Sequence, residues 1–113
     1  MNVSFEGVGR LAVTVPNENA MAGQLCKLNA EGMCARCQAG EHFVGLVEAV
    51  EGDSAALQIA GFATVKFTGS EPVVGFNKFI SNGNGGVKYD ASAGKEYLVV
   101  AVDSGRSTIT LKL

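Results

Sequence analysis

Short apolar runs, each bounded by residues that favour turns, recur along the whole of this 113-residue chain. Within the runs the apolar residues are adjacent or alternate, and helical spacing is almost absent, which is typical of β-strands. The chain has 15 glycines but 2 prolines, which fits many tight turns. We therefore predict an all-β fold in a single domain, residues 1–113. The predicted strands are Val3–Val8, Arg10–Val15, Gln24–Leu28, Met33–Cys37, Phe43–Val50, Ala55–Ala60, Phe62–Phe67, Phe76–Ser81, Val87–Asp90, Tyr97–Val102 and Ser107–Leu113.

The chain also contains an internal repeat. GRLAVTV at 9–15 aligns with GFATVKF at 61–67, an offset of 52 positions that also places Gly23 on Gly75. The offset becomes 54 after a longer turn in the second half, and later returns to 52. The further matches are Gly40 with Gly94, FVGLV at 43–47 with YLVVA at 97–101, and LQI at 57–59 with ITL at 109–111. This matched order predicts a two-fold pseudo-repeat, in which two similar β units form one small barrel or sandwich.

Two of the predicted strands, Phe43–Val50 and Tyr97–Val102, are apolar at nearly every position. A strand without alternation is expected to be buried on both faces. We therefore predict that these two are the central strands of their units. The residues that we expect in the core are Val44, Leu46, Val47, Leu98, Val99 and Val100.

Charge and hydropathy argue against several kinds of partner. The net charge is −2 and no basic stripe is present, so we expect no nucleic acid partner. No apolar run approaches the length of a membrane span, so we expect no membrane partner. The first ten residues, MNVSFEGVGR, lack the layout of a signal peptide, and three cysteines are an odd count for a disulfide framework. These features predict a protein made in a cytoplasm, and we expect no cofactor.

Three cysteines and the single histidine lie close together in the sequence: Cys26, Cys34, Cys37 and His42. Zinc favours four ligands of these types, so they are the candidates for a metal site, although we predict none. Alternation along a strand puts Cys34 and Cys37 on opposite faces, unless the strand ends early and Cys37 lies in the turn. A Cys26–Cys34 disulfide stays open as an alternative, although a reducing cytoplasm disfavours it. The corresponding positions of the second half are Lys78, Lys88, Ala91 and Glu96.

The residues for catalysis are sparse. Any Cys–His or Ser–His pair must use His42, and Cys37 lies five residues from it across a predicted turn. The acidic residues are scattered, mostly at turns, and Glu48 with Asp103 is the one carboxylate pair that closes corresponding strands. The glycines at 83–86 precede a predicted strand, whereas a phosphate-binding loop precedes a helix. We expect no enzyme and no catalytic residues.

The order of these features resembles a known family. Most of the chain follows the pattern of a Gly-containing turn, a short strand, a second Gly turn and an apolar strand that ends in an acidic residue. The segments that carry it are AGQLCKL at 22–28, EGMCA at 31–35, QAGEHFVGLVE at 38–48, IAGFATV at 59–65, VGFNKF at 74–79, GVK at 86–88, YLVVAV at 97–102 and TITL at 108–111. They resemble the capsid decoration (cementing) proteins of tailed bacteriophages, of the type often misannotated as recombinase-like. The cysteines depart from the small apolar or polar residues usual in that family.

This resemblance implies a structural virion protein that binds the outside of a phage capsid and stabilises the shell. The partners it implies are the major capsid protein and further copies of the chain, as a homotrimer on the capsid. The location it implies is the virion surface, after assembly in the bacterial cytoplasm. The alternatives are another phage structural component, such as a tail, neck or fibre protein, or a small ligand-binding β module. With no Trp and aromatics at 7%, the chain offers few rings for stacking on sugars.

The N-terminal segment, residues 1–8, is a candidate arm. Val3, Phe5 and Gly7 repeat the pattern of two later strands, so the chain carries one such strand more than two units need. A strand with Val3 and Phe5 on one face can add to an exposed sheet edge, and the resemblance implies an arm that reaches the capsid. The alternative is that Val3–Val8 pairs with Ser107–Leu113 and closes the barrel. Deletion of residues 2–6 distinguishes loss of capsid binding from loss of folding.

Overall fold

The computed structural model describes residues 11–113, which form ten β-strands and no helix. The strands are β1 Leu11–Pro16, β2 Leu25–Leu28, β3 Cys34–Arg36, β4 Gly45–Glu51, β5 Ser54–Ala60, β6 Phe62–Thr68, β7 Gly75–Ser81, β8 Val87–Tyr89, β9 Lys95–Asp103 and β10 Thr108–Lys112. The all-β prediction is confirmed, and each of these strands ends within two residues of its predicted limits. The predicted strand Val3–Val8, the candidate arm at 1–8 and the docking residues Val3 and Phe5 lie outside the described residues.

The strands form two units with the same connectivity. The second half is a closed barrel in the order β10-β6-β8-β7-β9, and β6 and β8 pair in parallel. The first half is a sheet in the order β1-β5-β4-β2-β3. Replacing each strand of this sheet by the strand five places later in the chain reproduces the order of the barrel. The predicted small barrel with a two-fold pseudo-repeat is therefore confirmed.

Cross-strand pairing follows the offsets that the sequence predicts. In the pair formed by the first and fifth strands of each unit, both residues are shifted by 52 positions between the two halves. In the hairpin of the second and third strands, the residue of the second strand is shifted by 52 positions and that of the third strand by 54. The equivalent pairs are Val13–Leu57 with Val65–Ile109, and Leu28–Cys34 with Ile80–Lys88. The fourth strands have no single offset, because β9 has 9 residues where β4 has 7.

Each unit has its own buried cluster. The larger one fills the barrel with residues that include Phe79, Val99 and Leu111, and the smaller one gathers Cys26, Cys34 and small aliphatic residues of the first half. The barrel residues come from all five of its strands. Along β6 and β10 the buried side chains alternate with exposed or half-buried ones, because one face of each strand lines the barrel.

The predicted core is correct for two residues and wrong for others. Val47 and Val99 are buried, whereas Leu46, Leu98 and Val100 are half-buried and Val44 is 42% exposed. The prediction that both apolar strands are buried on two faces is wrong along most of their length: β4 is exposed from Glu48 to Glu51, and the face of β9 that carries Leu98 and Val100 is half-buried. Leu46 nevertheless packs against the barrel cluster, from the face of β4 opposite to Val47. β4 does occupy the centre of the first sheet, as expected, while β9 lies in a closed barrel that has no central strand.

The two units share side chains and backbone hydrogen bonds. Leu25, Cys37 and Phe43 of the first half belong to the buried cluster of the barrel. The Phe43 ring stacks on Tyr97 with 5.0 Å between centroids. The Ser81 N–H donates to the Glu41 carbonyl at 3.1 Å, and the Ser81 carbonyl accepts from the Gly40 N–H at 3.0 Å. The first half is thus held against the barrel by apolar contact and by main-chain pairing.

Candidate interaction surface and cysteine pair

Cys26 and Cys34 lie on neighbouring strands, β2 and β3, and both side chains are fully buried in the core of the first unit. They are diagonal neighbours, because Cys26 pairs with Arg36 and Cys34 pairs with Leu28. The Sγ atoms are 2.8 Å apart, and both cysteines are free thiols. The fold therefore brings together two of the four residues that the sequence marked for a metal site.

The surroundings keep the Cys26 thiol protonated. Burial raises the pKa of Cys26 well above its ordinary range, and its contact with Cys34 raises it further. A thiolate is the form that binds metals and attacks electrophiles. In the folded protein Cys26 is therefore a neutral thiol, which is a poor nucleophile.

Cys37 lies apart from this pair. β3 ends at Arg36, so Cys37 follows the strand, which is the arrangement that the sequence left open. Its side chain packs in the core of the barrel, and its Sγ donates to the His42 carbonyl at 3.7 Å. Burial raises the pKa of Cys37 to about 11. Within residues 11–113, no three His, Cys, Asp or Glu side chains form a group that could hold a metal ion.

The segment between β3 and β4 is fixed by an ion pair. The Lys27 ammonium on β2 lies 2.6 Å from Glu41 Oε2, and Glu41 Oε1 accepts the Gln38 N–H at 2.8 Å. Both hydrogen bonds lower the pKa of the Glu41 carboxyl, and the one with Lys27 has the larger effect. The charges serve to hold this loop against the hairpin.

The other carboxylates that the sequence singled out also serve in strands and turns. Glu48 is exposed on β4 of the first sheet, and Asp103 ends β9 of the barrel. Asp103 Oδ1 accepts the Arg106 N–H at 3.2 Å and so stabilises the turn into β10. The structure places these two carboxylates in different sheets.

One exposed apolar surface stands out at the start of β7. Val73, Val74 and Phe76 are 69%, 65% and 69% exposed, the highest values among the large hydrophobic residues of the described chain. Tyr89 is 56% exposed and borders the same surface depression of about 260 Å³ as Val73. Phe76 borders a different depression, beside Tyr97. We call these four exposed residues, at the start of β7 and the end of β8, the apolar tip; they border two depressions and not one.

The loop that carries the apolar tip is held in a defined shape. The Asn77 side-chain amide donates to the Val73 carbonyl at 2.8 Å and to the Gly75 carbonyl at 3.1 Å. Gly75 has a φ of 119°, a conformation that a side chain would strain. Sequence reasoning missed this surface, because Val73 and Val74 fall between the predicted strands Phe62–Phe67 and Phe76–Ser81. Two adjacent valines outside any strand were the available signal.

The comparisons with known proteins bring no relative to this chain. No family model, no curated protein and no solved structure matches it. Residues 11–113 include no helix of the length and apolarity needed to cross a membrane.

The docking candidates Val3 and Phe5 belong to the part of the chain outside residues 11–113. The alternative for that segment, pairing of Val3–Val8 with Ser107–Leu113, concerns the same undescribed residues and also stays a prediction. Among the described residues, β10 pairs with β6 along one edge and with β9 along the other. The docking role of Val3 and Phe5 stays a prediction.

Proposed function

We propose that this chain is a structural virion protein that binds the outside of a tailed-phage capsid and stabilises the shell, without catalytic turnover and without a cofactor. The observation that carries the proposal is the apolar tip: four exposed aliphatic and aromatic side chains at the start of β7 and the end of β8 of a small all-β scaffold. The resemblance of the strand and turn order to capsid decoration proteins supplies the kind of partner.

The apolar tip has the composition of a contact surface. Large exposed apolar side chains that lie together mark sites of protein association more often than isolated ones do. Phe76 and Tyr89 supply aromatic area, which is enriched at the centres of protein interfaces. Asn77 fixes the loop before binding, so little conformational entropy is lost on association.

The proposed partners are the major capsid protein and other copies of the chain. The resemblance gives a trimer as the form on the shell, and the same tip can serve either contact. The proposed location is the capsid surface of the virion, reached after synthesis in the host cytoplasm.

Co-sedimentation with bare capsids tests the proposal. The wild-type chain should pellet with the shells at a fixed copy number. The double variant Val73→Ser/Val74→Ser should bind about tenfold more weakly or worse, which corresponds to the loss of interface anchors. Both valines lie outside the strands and are exposed, so the fold should persist.

Met21→Ser is the matched control, because Met21 is 53% exposed in a loop of the other unit. This variant should bind like the wild type. If the double variant also binds like the wild type, the apolar tip is not the capsid contact. If the wild type stays in the supernatant at saturating concentration, the decoration role is wrong.

A further inference from the structure

β3 is the least secured strand of the first unit. It has three residues, and β2 pairs with one of its edges. At its other edge the described chain meets it in an isolated parallel bridge between Asn17 and Cys34, where the Glu18 N–H donates to the Cys34 carbonyl at 2.8 Å. The corresponding strand of the barrel, β8, is paired along both edges. The Arg36 N–H adds a hydrogen bond to Asn19 Oδ1 at 2.9 Å along the same edge. The first unit therefore closes through the backbone of Cys34 and this side-chain contact.

The side chain of Cys34 contacts a second thiol. Cys34 Sγ and Cys26 Sγ are 2.8 Å apart, and a disulfide bond is about 2.05 Å long. A movement of less than about 1 Å therefore brings the sulfur atoms to bonding distance. Cys37 packs in the other core and donates to the His42 carbonyl. Three thiols allow three disulfide pairings, and the structure places only the Cys26 and Cys34 sulfur atoms in contact among the described cysteines.

We propose that Cys26 and Cys34 form a disulfide-forming oxidation site, and that the bond fastens β3 to β2 at the point where the first unit closes. The barrel has lysines at the corresponding positions, Lys78 and Lys88, and two residues of β8 are paired with β6 there. The covalent link would thus secure the unit whose closing strand has the weaker pairing.

The oxidant is a small soluble disulfide such as oxidised glutathione. One cysteine thiolate attacks a sulfur atom of this disulfide and displaces one thiolate, which leaves a mixed disulfide on the protein. The second cysteine attacks the protein sulfur of the mixed disulfide and displaces the other thiolate. Two S–H bonds are lost and one S–S bond is formed in the protein, while the oxidant is reduced to two thiols that take up the two protons.

Burial sets the condition for this reaction. Both thiols are inaccessible to solvent in the closed fold, so a soluble disulfide reaches them when β3 opens or while the chain folds. Refolding in a glutathione redox buffer therefore brings the pair to equilibrium without a limit from access. It also lets Cys37 compete on equal terms.

The experiment is to denature the reduced protein, refold it in a glutathione redox buffer, alkylate the remaining thiols and map the modified cysteines by mass spectrometry. The expected product is lighter by about 2 Da before alkylation, with Cys37 alkylated and Cys26 and Cys34 joined. Its melting temperature should exceed that of the reduced protein by roughly 5–15 °C, since the bond restricts the unfolded chain.

Cys37→Ser is the matched control and should keep both the bond and the shift. Cys34→Ala should lose both, and the comparison of oxidised with reduced wild type is independent of any effect of that substitution on folding. The proposal is overturned if the thiols stay reduced in the buffer, if Cys37 takes part in the main disulfide, or if the Cys26–Cys34 bond lowers the melting temperature.

Discussion

Val44 and Val47 differ in burial, and burial decides how much each contributes to the free energy of unfolding. Val44 is 42% exposed, just before β4, and Val47 is 1% exposed, on the inward face of that strand. We expect Val47→Ala to cost about 2 kcal/mol, from the lost burial of two methyl groups and the cavity they leave. Val44→Ala, which is the same chemical change, should cost less than about 0.5 kcal/mol. Chemical denaturation of the two variants measures the difference, and equal losses would contradict the assignment of faces.

The ion pair of Lys27 with Glu41 predicts a dependence of stability on pH. Glu41 has a folded pKa below its ordinary 4.5, so its contribution is complete above that pH and is lost as the pH falls through the folded pKa. The folded pKa of Lys27 is raised above 10.5, so its contribution is complete below that pH and is lost as the pH rises through the folded pKa. Glu41→Gln should therefore lower the melting temperature at neutral pH, and the difference from wild type should shrink as the pH falls below 4.5.

The double variant Lys27→Gln/Glu41→Gln is the control for this pair. Once Glu41 is neutral, the Lys27 substitution should add little to the loss, because the two side chains act together. A Gln at position 41 can still accept the Gln38 N–H, so the comparison isolates the charge. A difference from wild type that stays constant from pH 2 to pH 7 would show that the ion pair is not its source.

Which individual side chains are buried was the feature least predictable from the sequence. The run from Phe43 to Val50 is apolar throughout apart from Gly45 and Glu48, so nothing in it marks which face is inward. The inward face is set by which strands lie alongside, and these come from distant parts of the chain. The cysteines show the same limit: the sequence left open whether Cys37 continues the strand or follows it, and only the packing shows that Cys34 meets Cys26.

At the scale of elements, the close approach of β4 and β5 depends on one glycine. A Cβ atom on Gly45 would overlap the Gln58 carbonyl oxygen and come within 3.0 Å of Leu57 Cδ1. Because the obstacle is backbone, Gly45→Ala must push the strands apart, and we expect a loss of about 1–3 kcal/mol. Gly105→Ala is the control, since the nearest atom there, Asp103 Oδ1, is 3.6 Å away. Thermal unfolding compares them, and a Gly45→Ala protein as stable as the control would contradict this close approach.

Strands and turns were predictable because their signals are local. The turn at 82–86 is an example: Gly83 and Gly85 both have a φ of 84°, and Asn82 Oδ1 accepts the Asn84 and Gly86 N–H groups. The repeat predicted that the two units share a strand order, but not which order. The parallel pairing of β6 with β8 joins strands separated by β7, and no local residue pattern specifies it.

At the scale of the whole molecule, the two units should unfold together. Leu25 and Phe43 complete the barrel core from outside the barrel, and the Leu25 N–H donates to the Gly85 carbonyl at 3.0 Å. Loss of the first unit would expose part of the barrel core, so the interior of the barrel depends on the first unit. We expect a single calorimetric transition whose calorimetric and van't Hoff enthalpies agree. Two resolved transitions would show that the units are separate domains.

We predict that copies of the chain associate with one another on the shell, which depends on the charge and the exposed apolar residues of the whole surface. The net charge of −2 gives copies of the chain little mutual repulsion, and the apolar tip offers area for a contact between them or with the shell. A closed ring is the arrangement that satisfies such contacts without open ends, and the resemblance to decoration proteins gives its number as three. Electron microscopy of capsids saturated with the wild-type chain should therefore show density in groups of three, and capsids mixed with Val73→Ser/Val74→Ser should lack it. Single, separated copies on wild-type shells would rule out the trimer, even if the protein binds.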